Sequence, residues 1–460
     1  MNLNLNCQFL SSKIQASSQA RLVYLLLEVL GDHAAASLPL NVSLVIDCSD
    51  SMHILMVTSQ QFEHLARRGQ LVEVVTDGVP AWRLRGGDSV DMTAFPRRID
   101  HVAEALRQTA GQLRPVDRFS LIAFASSART LIPSSPGSER ELLMRAAGQL
   151  EQLNLGDETE MADGLALGFH ELSITEDTAA ARRIILLTDG YTRNIPQCYR
   201  WAQSARERGV TLSTLGIGSE FNEELLIPLA DSTGGHAYYV EKAEDLPGIL
   251  RQEFSAALSV ACRSMEIKLR LAPNVELRRA HRVLPNAARL DPGPNQGGSY
   301  TFFLGDLESG APPALLLELI LPPLSPGAFK PGEVVLSWQD PASSGSRLNR
   351  RQPLALQVEA GMIEDRNPAV ARMVQKIAAY ELSTRALADA AAQGPAGASQ
   401  RLRAAATRLL EMDEPLLAEA MQRRADTVEL GGQVDAGLTK RLRYDTRSVA
   451  AINNKGKGQT

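Results

Sequence analysis

The run Asp47-Cys48-Ser49-Asp50-Ser51 sets a carboxylate and two hydroxyls at alternate positions directly after an apolar stretch, Val42-Ser43-Leu44-Val45-Ile46. Carboxylates and hydroxyls are hard oxygen donors, suited to Mg²⁺ or Mn²⁺ and less to zinc. Alone, the run also fits an ordinary strand-to-loop turn with a helix cap, because Asp and Ser favour turns. Two further places add donors of the same kind. The apolar stretch Ile184-Ile185-Leu186-Leu187 ends in Thr188-Asp189-Gly190, and Thr159 lies between a helical pattern ending near Leu153 and one starting near Asp163.

These residues need elements that bring them to one place. Residues 1–36 read as β, with alternation from Asn2 to Leu10 and an apolar run from Arg21 to Leu30. From Val42 to Val240 strands and helices alternate. Strands are predicted at Val42–Ile46, Arg118–Phe124, Arg183–Leu187, Thr211–Ile217 and Ala237–Val240. Helices are predicted at Ile99–Leu113, Glu139–Leu153, Asp163–Leu172, Gln197–Arg208, Glu223–Ser232 and Asp245–Leu258. Such alternation predicts a doubly wound, mostly parallel α/β sheet with helices on both faces. Ligands on such sheets sit at the carboxyl ends of strands, where Asp47 and Asp189 fall. After Leu258 only strand-like segments follow, among Pro- and Gly-rich connections, which predicts a β-sandwich over 259–358. Residues 1–36 need a sheet and are assigned to the same sandwich. From 367 to 450 the chain turns helical, with a Gly-Pro-Ala-Gly loop at 394–397. Residues 451–460 are polar and read as a disordered tail.

Together these motifs resemble the von Willebrand factor A family and its metal-ion-dependent adhesion site. The resemblance covers 38–258 and rests on Asp-x-Ser-x-Ser after the first strand, a Thr in a later loop and an Asp-Gly after the fourth strand. It implies a Rossmann-like fold and a site made of Asp47, Ser49, Ser51, Thr159 and Asp189 holding Mg²⁺ or Mn²⁺, with Ca²⁺ as a further candidate. It also implies direct ligation by Ser49 and Ser51, and contacts from Asp47 and Asp189 that often run through water. A carboxylate from a partner protein would complete the coordination. The pattern Leu438-Thr439-Lys440-Arg441-Leu442-Arg443-Tyr444 is further reminiscent of bacterial intracellular proteins of this type. Some of those accompany kinases, phosphatases or phosphothreonine-binding domains.

The sequence departs from the family pattern in three places. Asp50 stands where Gly is common, and Asp tolerates a left-handed backbone better than most residues. The usual Gly-Gly-Thr loop reads Asp157-Glu158-Thr159, which with Asp50 and Glu160 puts negative charge near the site. Finally, the first helix comes late, so residues 53–97 read as an insertion at the rim of the site, carrying Phe62, Trp82 and Phe95. Rim insertions shape binding surfaces, and a self-contained packing unit is the alternative.

Other chemistry is set aside by what is missing. Ser49 occupies the position where a dehalogenase-like phosphatase needs a second Asp, and there is no Gly-x-Ser-x-Gly elbow, no phosphate-binding Gly-x-x-x-x-Gly-Lys and no third Gly at dinucleotide spacing. Net charge is −5 across 460 residues and no basic patch is concentrated, so nucleic acid is not an expected partner. Cys7, Cys48, Cys198 and Cys262 lack zinc or thioredoxin spacing and read as unpaired thiols of a reducing cytoplasm. Ala311–Leu324, the most apolar stretch, is too short and proline-rich to span a bilayer. The N-terminus lacks the pattern of a signal peptide. His53, His236 and Trp201 are read as a loop histidine, a packed histidine and a core tryptophan. The expectation is a non-enzymatic, metal-dependent protein-binding scaffold in the cytoplasm, with no membrane partner. The alternative is a regulatory subunit of an ATP-driven, chelatase-like machine, its C-terminal helices acting as the coupling element.

Overall fold

A computed structural model describes residues 3–31, 37–54, 59–76, 79–84, 96–153, 155–175, 179–292, 297–340, 346–361, 365–392, 395–430 and 436–452. The chain opens with strands β1 (Leu3–Phe9), β2 (Lys13–Gln15) and β3 (Arg21–Gly31), then enters the α/β unit at β4 (Leu40–Asp47). Helix α1 (Ser59–Arg67) and strands β5 (Leu71–Thr76) and β6 (Val79–Leu84) come before α2 (Arg98–Ala110). The unit continues through β7 (Arg118–Phe124), β8 (Ala128–Pro136), α3 (Glu141–Leu150), α4 (Met161–Ser173), β9 (Ala181–Thr188), α5 (Ile195–Glu207), β10 (Val210–Ile217), α6 (Glu223–Thr233), β11 (Ala237–Val240) and α7 (Leu246–Leu258).

The central sheet has the order β11-β10-β9-β4-β7-β8, all parallel except β8, which returns antiparallel along β7. Strand β4 is buried along its whole length because β9 and β7 flank it and helices cover both faces. That explains its unbroken apolar character. Strand β8 was not expected from sequence. Its segment, ARTLIPSSP, carries two prolines and polar residues, which only an edge position tolerates.

The second unit comprises β12 (Val260–Leu271), β13 (Glu276–Leu284), β14 (Ala288–Leu290), β15 (Ser299–Glu308), β16 (Ala314–Leu321), β17 (Gly327–Gln339) and β18 (Arg347–Glu359). They form two five-stranded sheets, β1-β3-β16-β13-β14 and β15-β12-β17-β18-β2. The N-terminal strands complete both sheets, and β2 pairs in parallel with β18. Leu25, Leu27, Leu315 and Leu317 of the first sheet meet Ile267, Leu269, Val334 and Leu336 of the second in one core.

The C-terminal helices are α8 (Pro368–Ala392), α9 (Pro395–Glu411), α10 (Pro415–Glu429) and α11 (Ala436–Ile452). Helix α8 covers the outer face of the first sheet, where Val370 and Ile377 pack on Leu26, Val283 and Leu316. Two expectations are corrected here. Pro395, Ala396 and Gly397 belong to the first turn of α9 rather than to a loop, a position that proline tolerates because the amide it lacks has no helical partner. The tail expected at 451–460 begins inside α11, which runs to Ile452, and its remainder lies outside the described residues.

Candidate metal site

Asp47 closes β4 and Asp189 follows β9, so adjacency in the sheet brings the two carboxylates together. The backbone amide of Ser49 donates to Asp47 Oδ1 at 2.9 Å, closing a turn that aims the loop back over the strand end. Thr188 Oγ1 donates to the other oxygen, Asp47 Oδ2, at 2.6 Å. The hydroxyls of Ser49 and Ser51 lie 3.0 Å apart, and Ser51 donates to Asp189 Oδ1 at 2.7 Å. Four of the five expected residues therefore form one connected set of oxygens. Thr159 stands beside them: a methyl group built on Gly190 would lie 3.1 Å from Thr159 Oγ1, so this hydroxyl packs on the Asp189-Gly190 turn.

The loop bearing Thr159 is held by local bonds. Ser126 Oγ accepts from the amide of Glu158 at 3.1 Å, and the amide of Glu160 donates to the carbonyl of Ala125 at 2.8 Å. Beneath it, α4 lies close to the sheet through Gly164 and Gly168, where an added Cβ would come within 3.0 Å of Val45 atoms.

Both carboxylates are buried and electrostatically frustrated. Burial, then repulsion from Asp189, pushes the Asp47 carboxyl up to about 6. Asp189 is raised as well, by burial, although Arg98 pulls the other way. Among the described residues, no three His, Cys, Asp or Glu side chains gather around one point, so hydroxyl oxygens have to complete any cation site here. The set of Asp47, Ser49, Ser51, Asp189 and the adjacent Thr159 has the donor chemistry that Mg²⁺ or Mn²⁺ requires.

Two sequence readings change. Asp50 begins a right-handed 3-10 turn, Asp50–His53, so the left-handed backbone considered for it is not used. Part of the acidic rim is neutralised, since Glu158 pairs with Arg193 at 2.5 Å. The insertion folds as α1 and an antiparallel β5–β6 hairpin that joins no other described strand. Phe62 is half-buried. Phe95 and the side chain of Trp82 lie outside the described residues. Thr188, Ser126 and Arg98 were missed at the sequence level. Thr188 was detectable as the hydroxyl that ends β9 directly before Asp189. Arg98, 91 residues from the Asp189 it contacts, left no local signal.

The arrangement is similar to that of a von Willebrand factor A domain: residues 88–252 match the von Willebrand factor type A domain model. The match begins after the Asp47–Ser51 run, which the pairing of β4 with β7 and β9 places in the same sheet. Residues 368–451 match a second family model, the Sll0103-like C-terminal alpha-helical domain. An uncharacterised protein, sll0103, of Synechocystis sp. is 26% identical over 76% of this chain and 84% of its own length. The uncharacterised Escherichia coli protein YfbK is 25% identical over 38% of this chain, and the chain spans 31% of its length. A solved structure of a von Willebrand factor type A protein from Catenulispora acidiphila superposes with a TM-score of 0.72 at 17% identity, covering 96% of each chain. The whole architecture, helices and sandwich included, is thus one that another chain adopts. No helix among the described residues is long and apolar enough to cross a membrane.

Proposed function

We propose that this protein is a cytoplasmic, non-enzymatic binding module that holds a partner protein through a divalent cation. The observation that carries the reading is the convergence of Asp47, Ser49, Ser51 and Asp189 on one hydrogen-bonded set of oxygens at the ends of β4 and β9. Ser49 and Ser51 would hold Mg²⁺ or Mn²⁺ directly, with Thr159 beside them and Asp47 and Asp189 supplying the charge. The cation, when bound, supplies an open coordination position for a carboxylate of the partner. Thr188 and the Ser49 amide orient Asp47 from either side. Ile54 and Tyr191, 57% and 61% exposed, follow the two motif loops and offer apolar contact at the rim. The free cysteines agree with a reducing compartment.

Kinase, phosphatase or ATPase systems are the contexts in which such a partner is sought. A regulatory subunit of an ATP-driven machine is the second reading, favoured by one observation. Helix α11 reaches the rim of the site, where Lys440 Nζ lies 3.0 Å from Glu223 and 6.0 Å from the Tyr191 ring. Movement of the C-terminal helices would then be felt at the site. Co-purification with an ATPase would favour it.

The test is thermal unfolding in Mg²⁺, Mn²⁺ and EDTA, with capture of the partner under the same conditions. Cation at about 100 times Kd should stabilise the wild type by about 2.7 kcal/mol. Asp47→Ala and Ser51→Ala should lose both the stabilisation and the captured protein. Identical melting and capture with and without cation would refute the reading.

A further inference from the structure

Helix α2 begins with two cations at its positive end. A helix N-terminus opposes positive charge, so each arginine there needs a compensating group. Arg97 has one nearby: Asp100 accepts from its backbone amide at 2.7 Å and from its guanidinium at 2.6 Å. Arg98 turns the other way, into the carboxyl ends of the central strands. Its Nη1 donates to Asp189 Oδ2 at 2.5 Å, on the side opposite the oxygen that receives Ser51. The Asp189 side chain is fully enclosed and that of Arg98 is 18% exposed. The guanidinium also rests against Gly218, which follows β10 at φ +73°, and a Cβ there would sit 3.1 Å from Nη2. A dedicated cradle therefore places a protein cation on the carboxylate that a divalent cation needs.

We propose that Arg98 is an intramolecular cation that competes with the divalent metal for Asp189 and so sets the metal affinity of the site. The inference rests on the metal-binding reading above. With the guanidinium in its cradle, part of the Asp189 charge is offset within the protein itself. For a divalent cation to take the full charge of Asp189, the guanidinium has to withdraw, since two positive charges on one buried carboxylate repel strongly. Arg98 is the first helical residue after the insertion. The clasp that joins the insertion's two roots, Arg97 Nη1 to His53 Nδ1 at 3.4 Å, lies beside it. The metal site and the insertion therefore share one helix end.

The experiment is Mn²⁺ titration followed by electron paramagnetic resonance, with melting in EDTA and in saturating Mn²⁺. Arg98→Gln should bind Mn²⁺ about tenfold more tightly than wild type. It should melt below wild type in EDTA and recover that loss in Mn²⁺. Gly218→Ala keeps the charge but crowds the cradle, so it should shift affinity in the same direction even if Arg98→Gln folds poorly. In an Asp189→Asn background Arg98→Gln should change nothing. If the wild type binds Mn²⁺ and neither variant binds more tightly, the competition is refuted while the metal site stands. If neither wild type nor Arg98→Gln binds Mn²⁺, the metal reading falls and the competition with it.

Discussion

At the residue scale, a second group of buried charges lies away from the motif loops. Arg183 of β9 is 2% exposed and pairs with Glu253 of α7 at 2.8 Å and Glu308 of β15 at 2.7 Å. His236 Nδ1 lies 3.0 Å from Glu253, its Nε2 lies 3.5 Å from Glu308, and Tyr238 donates to Glu253 at 2.9 Å. Burial works to lower the histidine pKa, but the two glutamates outweigh it and raise the value above 6.5. Burial likewise works against ionised Glu253, yet Arg183 and His236 bring it down to about 2. A histidine whose folded-state pKa is raised stabilises fully below its unfolded value and loses that contribution as pH rises through the folded one. Stability should therefore fall on the alkaline side of about pH 6.5. His236→Gln should remove that slope and cost about 2 kcal/mol at pH 6, as measured by urea unfolding across a pH series. An equal slope in both proteins would assign the dependence elsewhere. The sequence suggested only a packed histidine at this position, because its partners come from distant segments.

At the element scale, the site depends on how closely α4 approaches β4. Gly164 and Gly168 lie one helical turn apart and face Val45, with Phe124 also beside Gly164. The loop carrying Thr159 leads directly into this helix. Gly168→Leu has nowhere to place its side chain, since even a Cβ would lie 2.9 Å from Val45 Cγ2. Overpacking of this kind costs about 1–3 kcal/mol, and lifting α4 should carry Thr159 away from Asp189. The expected result is lowered stability in urea together with weakened Mn²⁺ binding. Weakened stability with unchanged Mn²⁺ affinity would show that Thr159 plays no part in the site. The helix itself was legible from Asp163 to Leu172, and the observed α4 adds residues at both ends. Strand β18 was not legible, because its Arg-rich alternation, RLNRRQPLALQVE, reads as polar until β17 and β2 flank it.

At the scale of the whole molecule, one aspartate ties three parts together. Asp231 of α6 is paired with Arg282 of β13 at 2.5 Å and with Arg447 of α11 at 2.7 and 2.8 Å. All three side chains are largely enclosed. Tyr444 of the same helix packs beside Phe221 and Tyr239. Removing one member of a buried ionic group leaves the others uncompensated, which costs about 3–5 kcal/mol. Asp231→Ala should lower stability by that amount and expose α11 to limited proteolysis before the α/β unit is cut. Simultaneous loss of all parts would instead show a single cooperative structure.

What the sequence determined by itself is local. The Asp47–Ser51 turn, the apolar strands that end on Asp47 and Asp189, the alternation of strands and helices, and the Ala-rich C-terminal helices all follow from neighbouring residues and short periods. Hence the α/β unit, and the oxygen-bearing residues on it, could be read from the chain. Tertiary structure alone decided how the N-terminal strands divide between two sheets, that an edge strand lies at β8, and that α11 lands on α6. It also decided that Arg98 occupies Asp189. Each of these is a pairing between segments far apart in sequence. Such pairings depend on complementary surfaces and charges that meet only after folding, and they leave no periodic trace in the chain.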